Sequence, residues 1–181
     1  MADVGDMAAQ SEGLRLESYL PYRLSVASNA VSGLIARAYQ DRFGLTIPQW
    51  RLVCVLAEDG QSEDGEAGEG RAPGGGLTQG QVVARTVMDK VTVSRAAQGL
   101  VKRRLVSRAD HHADGRSHVL ELTPEGRRLY DDIAPLALAY EAALIAGLSP
   151  DEVALLKRLL ARLQAAAGQL AGEAPPPVSL R

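Results

Sequence analysis

The sequence predicts a mainly α-helical protein carrying one small β-hairpin, an α+β fold class, and three observations predict it. Apolar residues recur at three- and four-residue spacing through most of the chain, as in helices that bury one face. Helix-capping residues stand where these periodic segments begin. The period falls to two only between Val106 and Leu122, around a polar connection containing Asp114-Gly115, and such alternation about a turn pair is a hairpin.

Taken in order, residues 1–17 are polar and patternless and form an N-terminal tail. Pro21 opens a long helix, because proline suits the first turn, where its missing N–H has no partner to lose. Leu24, Ala27, Val31, Leu34, Ile35 and Ala38 make its apolar stripe, and Gly44 can close it in the left-handed conformation. A shorter helix begins near Pro48 and runs through Trp50, Leu52, Val53, Val55 and Leu56, so 18–57 is an N-terminal helical segment. Residues 58–76 hold seven glycines, Pro73 and six acids opposed only by Arg71, the composition of a flexible acidic loop.

Thr78 and Gln81 then form a capping box that opens a short helix through Val82, Val83 and Val87. Asp89 caps the next, which buries Val93, Ala97, Leu100 and Val101 and displays Thr92, Ser94, Arg95, Gln98 and Lys102. Strands at 106–110 and 117–122 follow, with Leu120 and Leu122 on one face and Val119 and Glu121 on the other, completing a core at 77–123. Thr123-Pro124 opens a helix with Leu129, Ile133, Leu136, Tyr140 and Leu144 on one stripe. Ser149-Pro150-Asp151-Glu152 caps a last helix carrying Val153, Leu156, Leu159, Leu160 and Leu163, so 124–168 is a C-terminal helical segment before a Pro-containing tail at 169–181.

The same residues exclude several classes. The longest apolar stretch, 136–148, is broken by Glu141 and falls short of the roughly 20 residues of a membrane span. Asp3 and Asp6 stand where an export signal would be basic and then apolar, and Cys54 is the single cysteine, so no internal disulfide forms. The expectation is a cytoplasmic protein with no membrane contact. No Walker or Gly-x-Ser-x-Gly pattern occurs, and the glycine run before Leu77 lacks the Lys-Ser/Thr of a phosphate loop, so neither an enzyme nor a cofactor is expected.

Charge is uneven. The chain carries −2 overall, yet residues 81–118 hold eight basic side chains against three acids, a local +5 that leaves −7 elsewhere. A basic stretch inside an acidic protein points to one face that meets a polyanion. Two short helices across a tight turn, the second polar on its outer face, followed at once by a basic hairpin, describe a winged helix-turn-helix with helical segments on either side. Arg95 and Gln98 are side chains that bond guanine and adenine edges in the major groove, and Thr92 and Ser94 add short hydroxyls. Arg116, beside the hairpin turn, suits a narrow minor groove, while Lys102, Arg103, Arg104 and Arg108 lie where phosphates would pass.

The run LTQGQVVARTVMDKVTVSRAAQGLVKRRLVSR, followed by DGRSHVLELTPEGRRL, resembles the MarR family of winged-helix transcriptional regulators, as does the upstream GLTIPQWRLVCVL. The resemblance spans roughly 19–163, and its most specific pieces are Arg108, the Asp114-x-Arg116 pair and Leu120-x-Leu122-Thr123-Pro124-Glu125-Gly126. It implies a homodimer built from the first helix and the last two, bound to a pseudo-palindromic double-stranded DNA operator, with Asp114 holding Arg116. The expected DNA-binding set is Thr78, Gln79, Lys90, Thr92, Ser94, Arg95, Gln98, Lys102, Arg103, Arg108, Asp114 and Arg116. Arg104 stands where the family usually has glycine, and the acidic loop is longer than the family's usual link.

The resemblance also implies a small effector, often an anionic aromatic compound such as an aromatic acid or its coenzyme A thioester. Arg23, Ser28, Asn29, Ser32, Trp50 and Arg51 could line its pocket, although small residues also serve close helix packing and Trp50 also suits a core. Three other readings compete. Cys54 could sense oxidants, although its apolar neighbours favour a core thiol. His111, His112 and His118 with Asp110 and Asp114 could bind a metal, although adjacent strand residues point apart. An architectural DNA binder would lack an effector and discriminate little between sequences.

Overall fold

The structure, a computed structural model, describes residues 13–60, 76–110 and 118–172. Their chain order is α1 (Leu20–Phe43), α2 (Ile47–Asp59), β1 (Leu77–Thr78), α3 (Gln79–Thr86), α4 (Lys90–Lys102), β2 (Val106–Asp110), β3 (His118–Leu122), α5 (Pro124–Ile145) and α6 (Pro150–Ala171). This is the mainly α fold with a small antiparallel sheet that the periodicity predicts.

Side-chain caps set most helix starts. Thr78 and Gln81 form the expected box, with Gln81 N–H donating to Thr78 Oγ1 at 3.3 Å and Thr78 N–H to Gln81 Oε1 at 2.8 Å. A second box opens α2, where Thr46 and Gln49 exchange bonds of 3.0 and 3.4 Å. The sequence reading anchored that helix only on Pro48. Gly44 ends α1 at φ 63°, the left-handed conformation glycine adopts without steric cost.

β2 and β3 pair antiparallel with Val106 opposite Leu122 and Arg108 opposite Leu120, and β1 lies on the other side of β3. Two residues show no period, so β1 was not readable in advance. Leu52 and Val53 of α2, Val82 of α3, Val93 and Leu100 of α4 and Leu77, Val106 and Leu120 of the sheet are fully buried, and Ile133 of α5 joins them. One core therefore fixes the α3–α4 pair against the hairpin.

Several expectations about burial need correction. Val87, expected within the helix, instead ends α3 as its cap at φ 54° and is 76% exposed. Val101 is exposed at the edge of α4, and Ala27 and Val31 of α1 are exposed, whereas Ala36 and Tyr39 are the buried residues of α1. Glu58 and Asp59 belong to α2 rather than to an acidic loop, and Asp59 is buried with its carboxylate 3.3 Å from Arg85. Residues 61–75, which carry the rest of that loop, lie outside the described residues.

The chain divides into two compact units, Met1–Leu136 and Ala137–Arg181. The division follows Pro135, which lies inside α5 and cannot donate to the helical ladder. In the second unit α6 starts with the expected box, Ser149 N–H donating to Glu152 at 2.8 Å, and none of its 22 residues is buried. No single helix among the described residues is long and apolar enough to cross a membrane.

Candidate nucleic-acid interface

Helix α4 begins at Asp89, whose side chain accepts from Thr92 N–H at 2.8 Å and from Thr92 Oγ1 at 2.6 Å. The Thr92 hydroxyl bond, with backbone N–H groups behind it, holds the Asp89 carboxyl below its ordinary value, so the first turn carries a fixed anion. From there Val91, Arg95, Gln98 and Lys102 recur at helical spacing and are all exposed, forming one stripe along the helix. Arg95, Gln98 and Lys102 are thus displayed as expected. Lys90 is exposed at the start of the helix. Thr92 and Ser94 are half-buried, and the Thr92 hydroxyl is engaged by the cap. Val91, absent from the expected set, is 58% exposed. Helical spacing back from Arg95 could have found it.

The C-terminal end of α4 closes in a Schellman motif. Leu105 N–H donates to the Leu100 carbonyl at 3.0 Å and Arg104 N–H to the Val101 carbonyl at 2.9 Å, with Leu100 and Leu105 both buried. The motif needs a left-handed residue, and here it is Arg104 at φ 59°, at the position where a glycine would suit that conformation. Arg103, expected where phosphates pass, is engaged within the fold. Its guanidinium donates to the carbonyls of Phe43 at 2.7 Å and Gly44 at 3.0 Å, tying the end of α4 to the end of α1. Such bonds suit the partial negative charge of a helix C-terminus. Nothing in the sequence flags a bond across 59 residues.

Between α4, the start of α3 and the hairpin lies a cleft of about 250 Å³ lined by Gln79, Ala97, Gln98, Val101, Lys102, Arg108 and Leu120. Leu120, Ala97 and Val101 are its apolar lining, while two cations and two carboxamides supply donors, a combination fitted to an anion. The cleft gathers Gln79, Gln98, Lys102 and Arg108 from three different elements. Thr78 is half-buried in its cap. Asp114 and Arg116, at the hairpin tip, lie outside the described residues, as do His111 and His112.

The residues expected around an effector differ in exposure. Arg23, Ser28, Asn29 and Arg51 are exposed and Ser32 half-buried. Trp50, 8% exposed, packs in the core with its ring 5.7 Å from Tyr39 and 5.9 Å from Tyr130, so one aromatic stack joins α1, α2 and α5. Beside it, burial and then Glu58 push the Cys54 thiol up to about 12, which leaves it a neutral core group rather than a reactive thiolate. Among the described residues no three His, Cys, Asp or Glu side chains converge on a metal position.

A family model described as the MarR family matches residues 70–117, the stretch that contains β1, α3, α4 and β2. Among solved structures, a probable transcriptional regulator from Pseudomonas aeruginosa is 29% identical, aligns over 82% of this chain and 99% of its own, and superposes with a TM-score of 0.66. The BpsR protein of Bordetella bronchiseptica, whose DNA binding is regulated by 6-hydroxynicotinic acid, is 23% identical over 84% of this chain and 97% of its own, with a TM-score of 0.70. The MepR protein of S. aureus, solved as a DNA complex, is 20% identical over 82% of this chain and 98% of its own, with a TM-score of 0.68. A search of curated proteins found no match.

Proposed function

We propose that this chain is a winged helix-turn-helix protein of the MarR family and that it acts as a homodimeric, ligand-responsive repressor in the cytoplasm. The observation that carries the DNA-binding part is the exposed stripe of Arg95, Gln98 and Lys102 on α4, next to a cleft where Arg108 and Gln79 add donors. Arg95 and Gln98 read base edges, while Lys102, Arg108 and Lys90 bond phosphates. Arg116, in the segment between β2 and β3, is the side chain assigned to the minor groove, with Asp114 as its partner in the family pattern.

The partner in the dimer is a second copy of the chain. Leu155, Leu156, Leu159, Leu160, Leu163 and Leu170 of α6 are 39–60% exposed, and Tyr22, Val26 and Val31 of α1 are exposed as well. Apolar surface on this scale marks an interface, and two-fold pairing lets the same patches cover each other. Two α4 helices then meet half-sites about 34–36 Å apart along the DNA. A small aromatic or anionic effector, of which the 6-hydroxynicotinic acid that regulates BpsR is one instance, favours a spacing that fits DNA poorly and releases the operator.

Selection of bound duplexes from a random-sequence pool, together with light scattering, tests the reading. It expects a site of two inverted half-sites and a mass twice 19.2 kDa. A 19.2 kDa species, or recovery without sequence enrichment, contradicts it. For the effector, a panel of aromatic acids and their coenzyme A thioesters is added to the complex, and release by at least one is expected.

A further inference from the structure

We infer that Val91 reads a thymine, its isopropyl group packing on the 5-methyl that this base presents in the major groove. The inference rests on the regulator reading and deepens it by naming a base. Val91 is the second residue of α4, at the end of the helix that helix-turn-helix proteins direct at base edges. It heads the stripe that continues through Arg95, Gln98 and Lys102, and is the apolar member of it, 58% exposed. A β-branched residue there contributes little to the core and slightly disfavours the helix, so folding does not explain it.

Its neighbours indicate what it faces. The Asp89 carboxylate, fixed by the Thr92 N–H and hydroxyl, lies in the same turn. The cations that meet phosphates are Lys90 beside it and Lys102 and Arg108 further on, whereas the Asp89 anion and the apolar Val91 have nothing to offer a phosphate and are set against base edges. Of the four bases, thymine alone carries an apolar group on its major-groove edge. A polar edge set against the valine loses water and gains no hydrogen bond, so Val91 also disfavours the alternatives.

The test uses the full chain and the site recovered by selection. Each thymine of a half-site is replaced in turn by deoxyuridine, which removes only the methyl. One position per half-site is expected to weaken binding about four-fold, the effect of one buried methyl. Val91→Ser is expected to bind the thymine and uracil duplexes alike, whereas Val91→Thr, which keeps a methyl, retains part of the difference. Equal binding of both duplexes by the unaltered chain at every position, or an unchanged ratio in Val91→Ser, overturns the inference while leaving the regulator reading standing. A pool in which no sequence is enriched overturns that reading and this inference with it.

Discussion

Val87 and Arg104 end α3 and α4 in the left-handed region, at φ 54° and 59°, where a side chain crowds its own carbonyl. Glycine removes that crowding but gains freedom in the unfolded chain, so the net effect of each replacement is modest. Val87→Gly and Arg104→Gly should each stabilise the fold by about 1 kcal/mol, since Val87 is largely in solvent and gives up little burial. Thermal unfolding checks this, and a lower midpoint in both variants would contradict it. Asp89 offers a second test at this scale. Its folded-state value lies below the ordinary 3.8, so it stabilises the start of α4 fully above that pH and loses the contribution as acid protonates it below. An NMR titration of Asp89 should give a midpoint under 3.8, and a midpoint at or above it would remove the cap from the account. Cys54, raised to about 12, should resist thiol alkylation at pH 8 in the folded chain and react once unfolded.

The helices and strands are joined by close backbone contacts that few residues permit. Gly126, in the first turn of α5, faces the Leu105 carbonyl so closely that a Cβ would overlap it, while Thr123 N–H and hydroxyl donate to the carbonyls of Leu105 at 3.1 Å and Arg104 at 2.8 Å. Gly126→Ala should cost roughly 1–3 kcal/mol, because backbone rather than a flexible side chain must move. Chemical denaturation measures it, and an unchanged midpoint would contradict the packing. Elements of this kind were legible where local chemistry specifies them: Thr78 with Gln81, Asp89 and Ser149 with Glu152 each mark a helix start within a few residues. β1 was not, since two residues carry no period. The bonds from Arg103 to the end of α1 and from Arg127 to the Ala57 carbonyl at 3.2 Å were not either, because only the folded chain brings those partners together. For the same reason the exposure of Arg95, Gln98 and Lys102 along α4 was legible from helical spacing, whereas the bonds of Arg103 to the carbonyls of Phe43 and Gly44 were not.

At the scale of the whole molecule, charge and apolar surface fall on different elements. Cations cluster around α4 and the hairpin, whereas the exposed leucines lie on α6. In the proposed function the first arrangement meets DNA and the second another copy of the chain. Leu156→Glu with Leu160→Glu should therefore weaken self-association and operator binding together, while leaving helix content unchanged, because both side chains are exposed in the single chain. Sedimentation equilibrium reads the first effect. The central claim is that α4 reads sequence and the cleft holds phosphate. Its most direct measurement is a fluorescence-anisotropy titration of the selected duplex and a scrambled duplex, over a range of salt, for the unaltered chain, Arg95→Ala and Lys102→Ala. Arg95→Ala should lose about 1–3 kcal/mol on the selected duplex alone, and Lys102→Ala should weaken both duplexes similarly and lower the salt slope by about one. Equal affinity of the unaltered chain for the two duplexes, with neither substitution altering it, would contradict the account.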